Sequence, residues 1–211
     1  MMKLANGETI LFVGDSITDC GRTRDQGPFG AGYVSLLRSI VLVRNPELSV
    51  RFVNQGIGGN TIRDLQRRWD PDVLAEEPDH LFVMIGINDV WRRFAAAEQQ
   101  PFHVPVREFQ DAYADLIRRS RQAGIRRIYA CGCFFVEPDS KEPMRTMCDD
   151  YNAAIRDVGE RASIPVVDIQ GEFDRLMRHQ HPMVIAADRV HPNPHGHLAI
   201  AERLYRFLAE E

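Results

Sequence analysis

Short apolar runs rich in β-branched residues alternate along this chain with longer segments of helical periodicity. The apolar runs lie at residues 9–13, 50–53, 81–85, 127–133 and 165–167. Helical spacing is clear in the series Val106, Phe109, Tyr113, Leu116 and Ile117. Parallel strands need a crossover connection that is usually a helix, so this alternation is typical of βαβ units. The pattern predicts an α/β fold, a three-layer α/β/α sandwich with about five parallel strands.

Composition and length give no reason to divide the chain. It has 211 residues, of which 44% are hydrophobic and 27% charged, enough for one sizeable core but few for two ordinary domains. No repeat, low-complexity tract or shift in composition marks a boundary. We expect a single domain over residues 1–211, with association into a homo-oligomer left open.

Charge and hydropathy argue against several kinds of partner. The formal net charge is −4, and basic residues are interspersed with acidic ones rather than gathered into a patch for nucleic acid. The longest apolar runs fall far short of the ~20 residues that a membrane span requires. The first run leads directly into a candidate functional motif, which leaves no room for a signal peptide. We therefore expect a cytoplasmic protein that binds neither nucleic acid nor a membrane.

The four cysteines predict buried free thiols. Cys20 and Cys148 stand alone, whereas Cys131 and Cys133 share an apolar run in which strand alternation places both on one face. A zinc site would need Cys-x-x-Cys pairs or nearby histidines, and a disulfide framework would need an oxidising compartment.

The histidines raise the alternative of a metal site. Five of the seven lie within residues 179–197, and His191, His195 and His197 are the candidate ligands. No carboxylate or thiolate cluster completes that set, and His195 and His197 begin an amphipathic segment. We therefore expect no metal ion and no cofactor.

A Gly-Asp-Ser motif directly follows the first predicted strand. Gly14, Asp15 and Ser16 stand beyond the carboxyl end of that strand, which is where ligands bind in open α/β sheets. A serine hydroxyl there would lie near free backbone N–H groups that can stabilise an oxyanion. For the motif alone, an ordinary turn or helix cap is the better interpretation.

Small residues and an amide follow the second and third predicted strands. Gly59 lies in the segment after the second strand, and Asn88 lies in the Gly-Ile-Asn-Asp that ends the third. An oxyanion hole needs such preorganised neutral donors, although glycines also suit a tight turn before a helix. A dinucleotide-binding fingerprint from Gly56 fails, because Thr61 stands where its last glycine is required.

Asp188 and His191 stand three positions apart, just before a final helix for which Asn193 is the predicted N-cap. In a turn, this spacing lets the carboxylate bind one ring nitrogen and leaves the other free as a base. An isolated Asp-x-x-His would more often be a surface turn.

Taken in chain order, the serine, glycine, asparagine and final Asp-x-x-His resemble the marker blocks of the SGNH hydrolase superfamily, also called GDSL esterases and lipases. The resemblance covers residues 14–197. It implies a flavodoxin-like fold in which Ser16 is the nucleophile and Asp188 and His191 complete the triad. It also implies an oxyanion hole formed by the N–H groups of Ser16 and Gly59 and the side-chain amide of Asn88.

Five segments further resemble the intracellular acetylxylan-esterase-like group of that superfamily: GDSITDCGR, NTIRDLQRRW, MIGINDVWR, PMRTMCDDY and DRVHP. This narrower resemblance implies a serine esterase that hydrolyses acetyl esters of carbohydrates such as acetylated xylo-oligosaccharides. Members of the group can carry an aromatic residue before Asp-Arg-Val-His, where this chain has Ala186 and Ala187. The substitution predicts a more open pocket wall.

Candidate substrate contacts lie within the same segments, and they are Asp15, Arg63 and Trp91. Further side chains to consider around the pocket are Arg22, Trp69 and Arg92. Large aromatic residues more often fill cores, and arginines more often form surface ion pairs.

Other functions remain open from the sequence alone. A broader lipolytic acylhydrolase, a lysophospholipase or a thioesterase of the same superfamily would use the same triad. A receiver-like module would share the fold and could use Asp15, but it would leave the Asp-x-x-His without a role. A catalytically silent carbohydrate-binding protein would have lost a triad member, and this chain retains all of them.

Overall fold

The computed structural model describes residues 2–210, which form five strands and eight α-helices. The strands are β1 (Thr9–Gly14), β2 (Arg51–Gly56), β3 (His80–Met84), β4 (Arg127–Cys131) and β5 (Val166–Val167). The helices are α1 (Ser16–Asp19), α2 (Tyr33–Arg44), α3 (Ile62–Asp72), α4 (Ile87–Trp91), α5 (Val106–Gln122), α6 (Pro143–Ala162), α7 (Gln170–Met177) and α8 (Pro194–Glu210). The predicted α/β fold is confirmed.

All the strands pair in parallel, in the order β2-β1-β3-β4-β5 that is also found in flavodoxin. In this order the direction of winding reverses between β1 and β3, which opens a crevice at their carboxyl ends. The register pairs Gly14 of β1 with Gly56 of β2 and with Met84 of β3. The three strands therefore end level, and the segments that follow them meet at one edge of the sheet.

The helices cover the sheet in two groups. Helix α8 contacts both α2 and α7, and α5 contacts both α3 and α6. The strands between them are apolar on both faces, and residues 10–13 of β1 have no solvent exposure. Within this core Phe12 stacks on Phe52 and Phe82, which ties β1 to both neighbouring strands. Among residues 2–210 no helix combines the length and apolar character needed to cross a bilayer.

Strand β4 ends two residues earlier than the apolar run predicted. After Cys131 the backbone bonds to other elements, since Asn152 donates to the carbonyl of Cys133 and the N–H of Phe135 binds Gln170. All the cysteines are free thiols, and Cys131, Cys133 and Cys148 are buried as predicted, whereas Cys20 is partly exposed at the end of α1.

Two glycines allow a close approach of neighbouring elements at the strand ends. A Cβ at Gly14 would lie 2.3 Å from the carbonyl oxygen of Met84 in β3, and one at Gly56 would lie 2.1 Å from the backbone nitrogen of Asp19 in α1. Because both obstructing atoms belong to the backbone, neither can rotate away. Glycine is therefore required at position 14 for the approach of β3 and at position 56 for the packing of α1 against the sheet.

We predict that Gly56→Ala lowers the free energy of unfolding by about 1–3 kcal/mol, because the added methyl group must displace α1. Thermal or urea unfolding measures this change. Gly58→Ala is the matched control, since its Cβ would lie 3.6 Å from Asp19 Oδ2, an ordinary contact. We expect that variant to be neutral or slightly stabilised, and equal stability of the two variants would contradict the packing argument.

Candidate active site

The segment after β1 places Ser16 at the edge of the sheet. Asp15 caps α1, because its Oδ1 accepts a hydrogen bond of 3.0 Å from the N–H of Ile17. Ser16 is the first residue of that helix, so its N–H is not used by the helical hydrogen-bond pattern. The capped turn thereby sets the direction of the Ser16 side chain.

Ser16, His191 and Asp188 form a continuous hydrogen-bonded series. Ser16 Oγ lies 3.0 Å from His191 Nε2, and His191 Nδ1 lies 2.7 Å from Asp188 Oδ2. Asp188 Oδ1 also accepts hydrogen bonds from the backbone N–H groups of Val190 and His191, at 3.0 and 2.7 Å. With Nδ1 donating to Asp188, Nε2 is left to accept the serine proton. This is the geometry of a serine nucleophile with an oriented base.

The carboxylate of Asp188 is held in its ionised form. Burial acts to raise its pKa, but the hydrogen bonds from His191 and Val190 act in the opposite direction and leave the pKa below its ordinary value. An ionised carboxylate keeps the His191 ring in one tautomer and stabilises the imidazolium that forms when the ring takes a proton.

Arg189 anchors the turn that carries the Asp-His pair. Its φ of 64° lies in the left-handed region, which costs free energy for a residue with a side chain. The Arg189 guanidinium forms a 2.6 Å ion pair with Glu137 and lies 4.8 Å from the centroid of the Phe135 ring. These contacts fix the turn to the segment that follows β4. The sequence did not predict this role, although Arg189 stands inside the Asp-Arg-Val-His motif.

The predicted oxyanion donors lie on the segments after β2 and β3. Gly59 has a φ of 79° and open space on the side where a Cβ would stand. Asn88 lies in the first turn of α4 and is 7% exposed, and its Nδ2 donates a 3.0 Å hydrogen bond to the carbonyl of Asn60. That bond orients the amide and leaves its second hydrogen free for another acceptor.

Arg92 holds the Gly59 loop from the outside. Its Nη2 donates a 2.8 Å hydrogen bond to the carbonyl oxygen of Gly59. From the other side, Asp19 Oδ2 accepts a 3.3 Å hydrogen bond from the N–H of Gly58. Arg92 therefore helps to hold this loop in its conformation.

The two tryptophans have different environments. Trp91 is 37% exposed, and its ring meets the His191 ring edge-on, with 5.7 Å between centroids. Trp69 has no solvent exposure, and its Nε1 donates to Ser120 Oγ at 3.1 Å. Trp91 therefore lies beside the triad, whereas Trp69 belongs to the core.

The charged candidates are engaged elsewhere. Arg63 binds both carboxylate oxygens of Glu108, at 2.5 and 2.7 Å, and Arg22 Nη2 donates to the carbonyl of Gly56 at 2.6 Å. Asp15 is 1% exposed, so its carboxyl group faces the interior. Asp15 serves as the N-cap of α1, and its contact with substrate stays a prediction.

The late histidines do not converge on a shared centre. His197 is buried, which lowers its pKa to about 4, and its Nδ1 accepts a 3.2 Å hydrogen bond from the N–H of Tyr33. His195 follows the N-cap Asn193, whose Oδ1 accepts from the N–H of His195 as the sequence predicted. Within residues 2–210 no group of three His, Cys, Asp or Glu side chains is placed to hold a metal ion.

Two carboxyl groups are buried beneath the site. Burial raises the pKa values of Asp15 and Asp89 to about 7, although hydrogen bonds from the N–H groups of Ile17 and Ile62 oppose the shifts. Asp89 Oδ2 finds no hydrogen-bond partner in the described part of the chain. The fold therefore favours the neutral form of Asp89.

We predict that Asp89 destabilises the fold as pH rises. Its pKa of about 7 when folded exceeds the ~4 of an unfolded aspartate, so the folded state loses stability between about pH 4 and pH 7. Asp89→Asn removes this titration and keeps an oxygen for the N–H of Ile62. From pH 4 to pH 7 the variant should gain roughly 2–4 kcal/mol relative to the parent, measured by urea unfolding.

The matched control is Asp111→Asn, because the Asp111 side chain is 64% exposed on α5. This variant should keep the stability of the parent, because an exposed carboxyl group is hydrated in the folded chain as well as in the unfolded one. A difference for Asp89→Asn that does not vary with pH would show that Asp89 ionises as readily in the folded state as in the unfolded one.

Comparison with known proteins extends over nearly the whole chain. Residues 12–199 match the model of the GDSL-like lipase/acylhydrolase family. The chain is 37% identical over 215 residues to an acetylxylan esterase of Geobacillus stearothermophilus, covering 100% of this chain and 98% of that protein. It is also 32% identical over 133 residues to the uncharacterized lipoprotein YqeF of Bacillus subtilis, covering 55% and 53% of the two chains.

Solved structures agree with this relationship. The crystal structure of the Geobacillus esterase matches with a TM-score of 0.94 at 37% identity, covering 100% of this chain and 98% of that one. The hydrolase LAE5 from the metagenome of Lake Arreo matches with a TM-score of 0.93 at 39% identity, covering 99% and 98%. Catalytic mutants of the Geobacillus esterase replace a serine, a histidine and an aspartate. By its sequence and by its fold, the chain belongs to the GDSL-like lipase/acylhydrolase family.

Proposed function

We propose that this chain is a serine esterase that removes acetyl groups from carbohydrates such as acetylated xylo-oligosaccharides, with Ser16 as its nucleophile. Its family and its full-length similarity to an acetylxylan esterase make it a carboxylic ester hydrolase. The hydrogen-bonded series from Ser16 Oγ through His191 to Asp188 carries the assignment of residues. A serine nucleophile needs a base that is oriented by a third group, and this series supplies both.

In the proposed reaction, His191 takes the proton of Ser16 as the hydroxyl group attacks the ester carbonyl. The resulting oxyanion accepts hydrogen bonds from the N–H groups of Ser16 and Gly59 and from the Asn88 amide. The protonated His191 then donates to the departing alcohol. Water attacks the acyl-enzyme with His191 again as the base, and acetate leaves. These steps require neither a metal ion nor an organic cofactor.

The exposure of the triad supports a substrate in which the alcohol half of the ester is bulky and hydrophilic. The side chains of His191 and Asp188 retain 42% and 50% of their solvent exposure. Ala187, directly before Asp188, is exposed as well, so no large side chain at this position screens the triad. An open edge of this kind admits an oligosaccharide, whereas the acyl side needs to accommodate only an acetyl group beside Trp91.

The non-enzymatic alternatives have less support. A receiver-like module would need an accessible Asp15, and this carboxyl group is buried. A silent carbohydrate-binding protein would not need Ser16, His191 and Asp188 within hydrogen-bond distance of one another. A lipolytic acylhydrolase, lysophospholipase or thioesterase would use the same triad, so acyl length decides between those activities and the proposed one.

The proposal places the enzyme in the cytoplasm, acting on a small-molecule or oligosaccharide ester. All four thiols, Cys20, Cys131, Cys133 and Cys148, are unbridged, which is typical of a reducing compartment. The net charge of −4 gives no general attraction to nucleic acid or to anionic lipid. Association into a homo-oligomer stays a prediction.

We predict that Ser16→Ala abolishes hydrolysis of p-nitrophenyl acetate without changing the unfolding temperature, because it removes only the nucleophilic oxygen. Asn88→Ala should lower kcat by roughly 10²–10³, as expected when one oxyanion donor is lost. Ser39→Ala, on the exposed face of α2, is the control and should keep full activity. Near-normal turnover by folded Ser16→Ala would contradict the assignment of the nucleophile.

We predict that kcat/KM falls from acetate to butyrate to octanoate esters, because Trp91 beside His191 limits the length of the acyl group. In a long apolar groove each buried methylene would instead add ~0.8 kcal/mol of binding, so a lipase would improve with chain length. Trp91→Ala should reduce the discrimination against butyrate. The rate of acetate release from acetylated xylo-oligosaccharides should exceed the rates of hydrolysis of lysophospholipids and acyl thioesters. Faster turnover of octanoate esters than of acetate esters would favour the lipolytic alternative.

A further inference from the structure

Arg68 lies on α3 with its guanidinium beneath the segments that follow β1 and β2. Its side chain is 14% exposed, whereas that of the adjacent Arg67 is 73% exposed. Burying a guanidinium is costly unless its N–H groups find acceptors, so the partners of Arg68 show what its burial achieves.

The acceptors of Arg68 belong to four different segments. Nε donates to Asn60 Oδ1 at 2.7 Å, and Nη2 donates to the carbonyl of Gly14 at 3.0 Å. Nη1 donates to the carbonyl of Gln55 at 2.8 Å and to Asp72 Oδ2 at 2.7 Å. Asp72 is the ion-pair partner on the same helix, whereas the other three acceptors are neutral and lie at the ends of β1 and β2 and in the loop after β2.

Two of the neutral contacts, those with Gly14 and Asn60, lead to the proposed oxyanion donors. The carbonyl of Gly14 precedes Ser16 by two residues, and it also accepts a hydrogen bond of 3.1 Å from the N–H of Ile57. Asn60 directly follows Gly59, and its carbonyl orients the Asn88 amide through a 3.0 Å hydrogen bond. The guanidinium therefore joins the supports of Ser16, Gly59 and Asn88.

The planar shape of the guanidinium suits this task. Its N–H groups point in fixed directions within one plane, whereas a lysine ammonium is a compact charge that cannot reach three separated carbonyl or amide oxygens at once. Arg92, by comparison, holds the carbonyl of Gly59 from the exposed side. Loss of the Arg68 contacts would leave the strand ends and the loop free to shift relative to one another.

We infer that Arg68 is a positioning residue that keeps the oxyanion donors of Ser16, Gly59 and Asn88 aligned, an inference that rests on the proposed function. It acts through Gly14, Asn60 and the loop between them. Arg68 is therefore needed for the rate of acyl transfer more than for the binding of the ester.

The test compares Arg68→Lys with Arg67→Lys in the full-length enzyme, using p-nitrophenyl acetate. Arg68→Lys should lower kcat about 10- to 100-fold with little change in KM, because misaligned donors weaken the transition state more than the bound ester. Arg67→Lys keeps an exposed charge at the neighbouring position and should retain the parent kcat. Parent kcat in folded Arg68→Lys would overturn the inference.

A double-mutant cycle with Asn88→Ala separates positioning from a general structural role. If Arg68 acts through the oxyanion donors, Arg68→Lys should cost a smaller fold of kcat once Asn88 has been replaced, because only the donors of Ser16 and Gly59 are then left to be misaligned. Equal fold-losses in both backgrounds would mean that Arg68 affects the enzyme independently of Asn88, and the inference that it aligns all three donors would be wrong.

Two further measurements keep the test decisive. Asn60→Ala removes the Nε acceptor of Arg68 but keeps the backbone carbonyl that binds Asn88, so it should show a smaller loss of kcat of the same kind. If Arg68→Lys does not fold, parent kcat in Asn60→Ala refutes the inference.

The rate at which a fluorophosphonate labels Ser16 is measured in every variant, because this reaction uses the nucleophile and the oxyanion donors without an acyl substrate. A parent protein that hydrolyses no ester would refute the proposed function. The labelling rates would still test Arg68, with slower labelling expected in Arg68→Lys and an unchanged rate counting against its role.

Discussion

The site depends on the parallel register that brings β1, β2 and β3 to a common end. Pairing of Gly14 with both Gly56 and Met84 places three loops at one edge of the sheet. The approach of α1 is then close enough that a methyl group at Gly56 would meet the backbone of Asp19. The strands are hydrogen-bonded along their length and buried on both faces, so this edge is rigid. The loops that start from it therefore have their first residues held in fixed positions.

Ionisable side chains hold these loops in place from different sides. Asp15 caps α1 from within, Arg68 binds the strand ends and Asn60 from below, and Arg92 binds the carbonyl of Gly59 from the exposed side. On the opposite side of the site, Arg189 fixes the turn that presents the Asp-His pair. A preorganised site stabilises developing charge without having to reorganise during the reaction, and these contacts supply the preorganisation.

The same site is open where the alcohol of an ester would lie. His191 and Asp188 remain partly exposed although their hydrogen bonds are complete, and Trp91 covers one side of the His191 ring. Rigid oxyanion donors on the buried side of the site and free space on its exposed side are compatible with a small acyl group attached to a large hydrophilic molecule. This arrangement links the family chemistry to the proposed carbohydrate esters.

The sequence by itself determined the α/β fold and the motifs at the strand ends, because alternating periodicities and chain order are local properties that can be read along the chain. It could not show that Arg68 turns inward, to acceptors on the ends of two strands, while Arg67 stays in solvent. Tertiary structure decided this difference. The partners of a buried charge come from distant segments, and sequence spacing does not encode which of them will meet it.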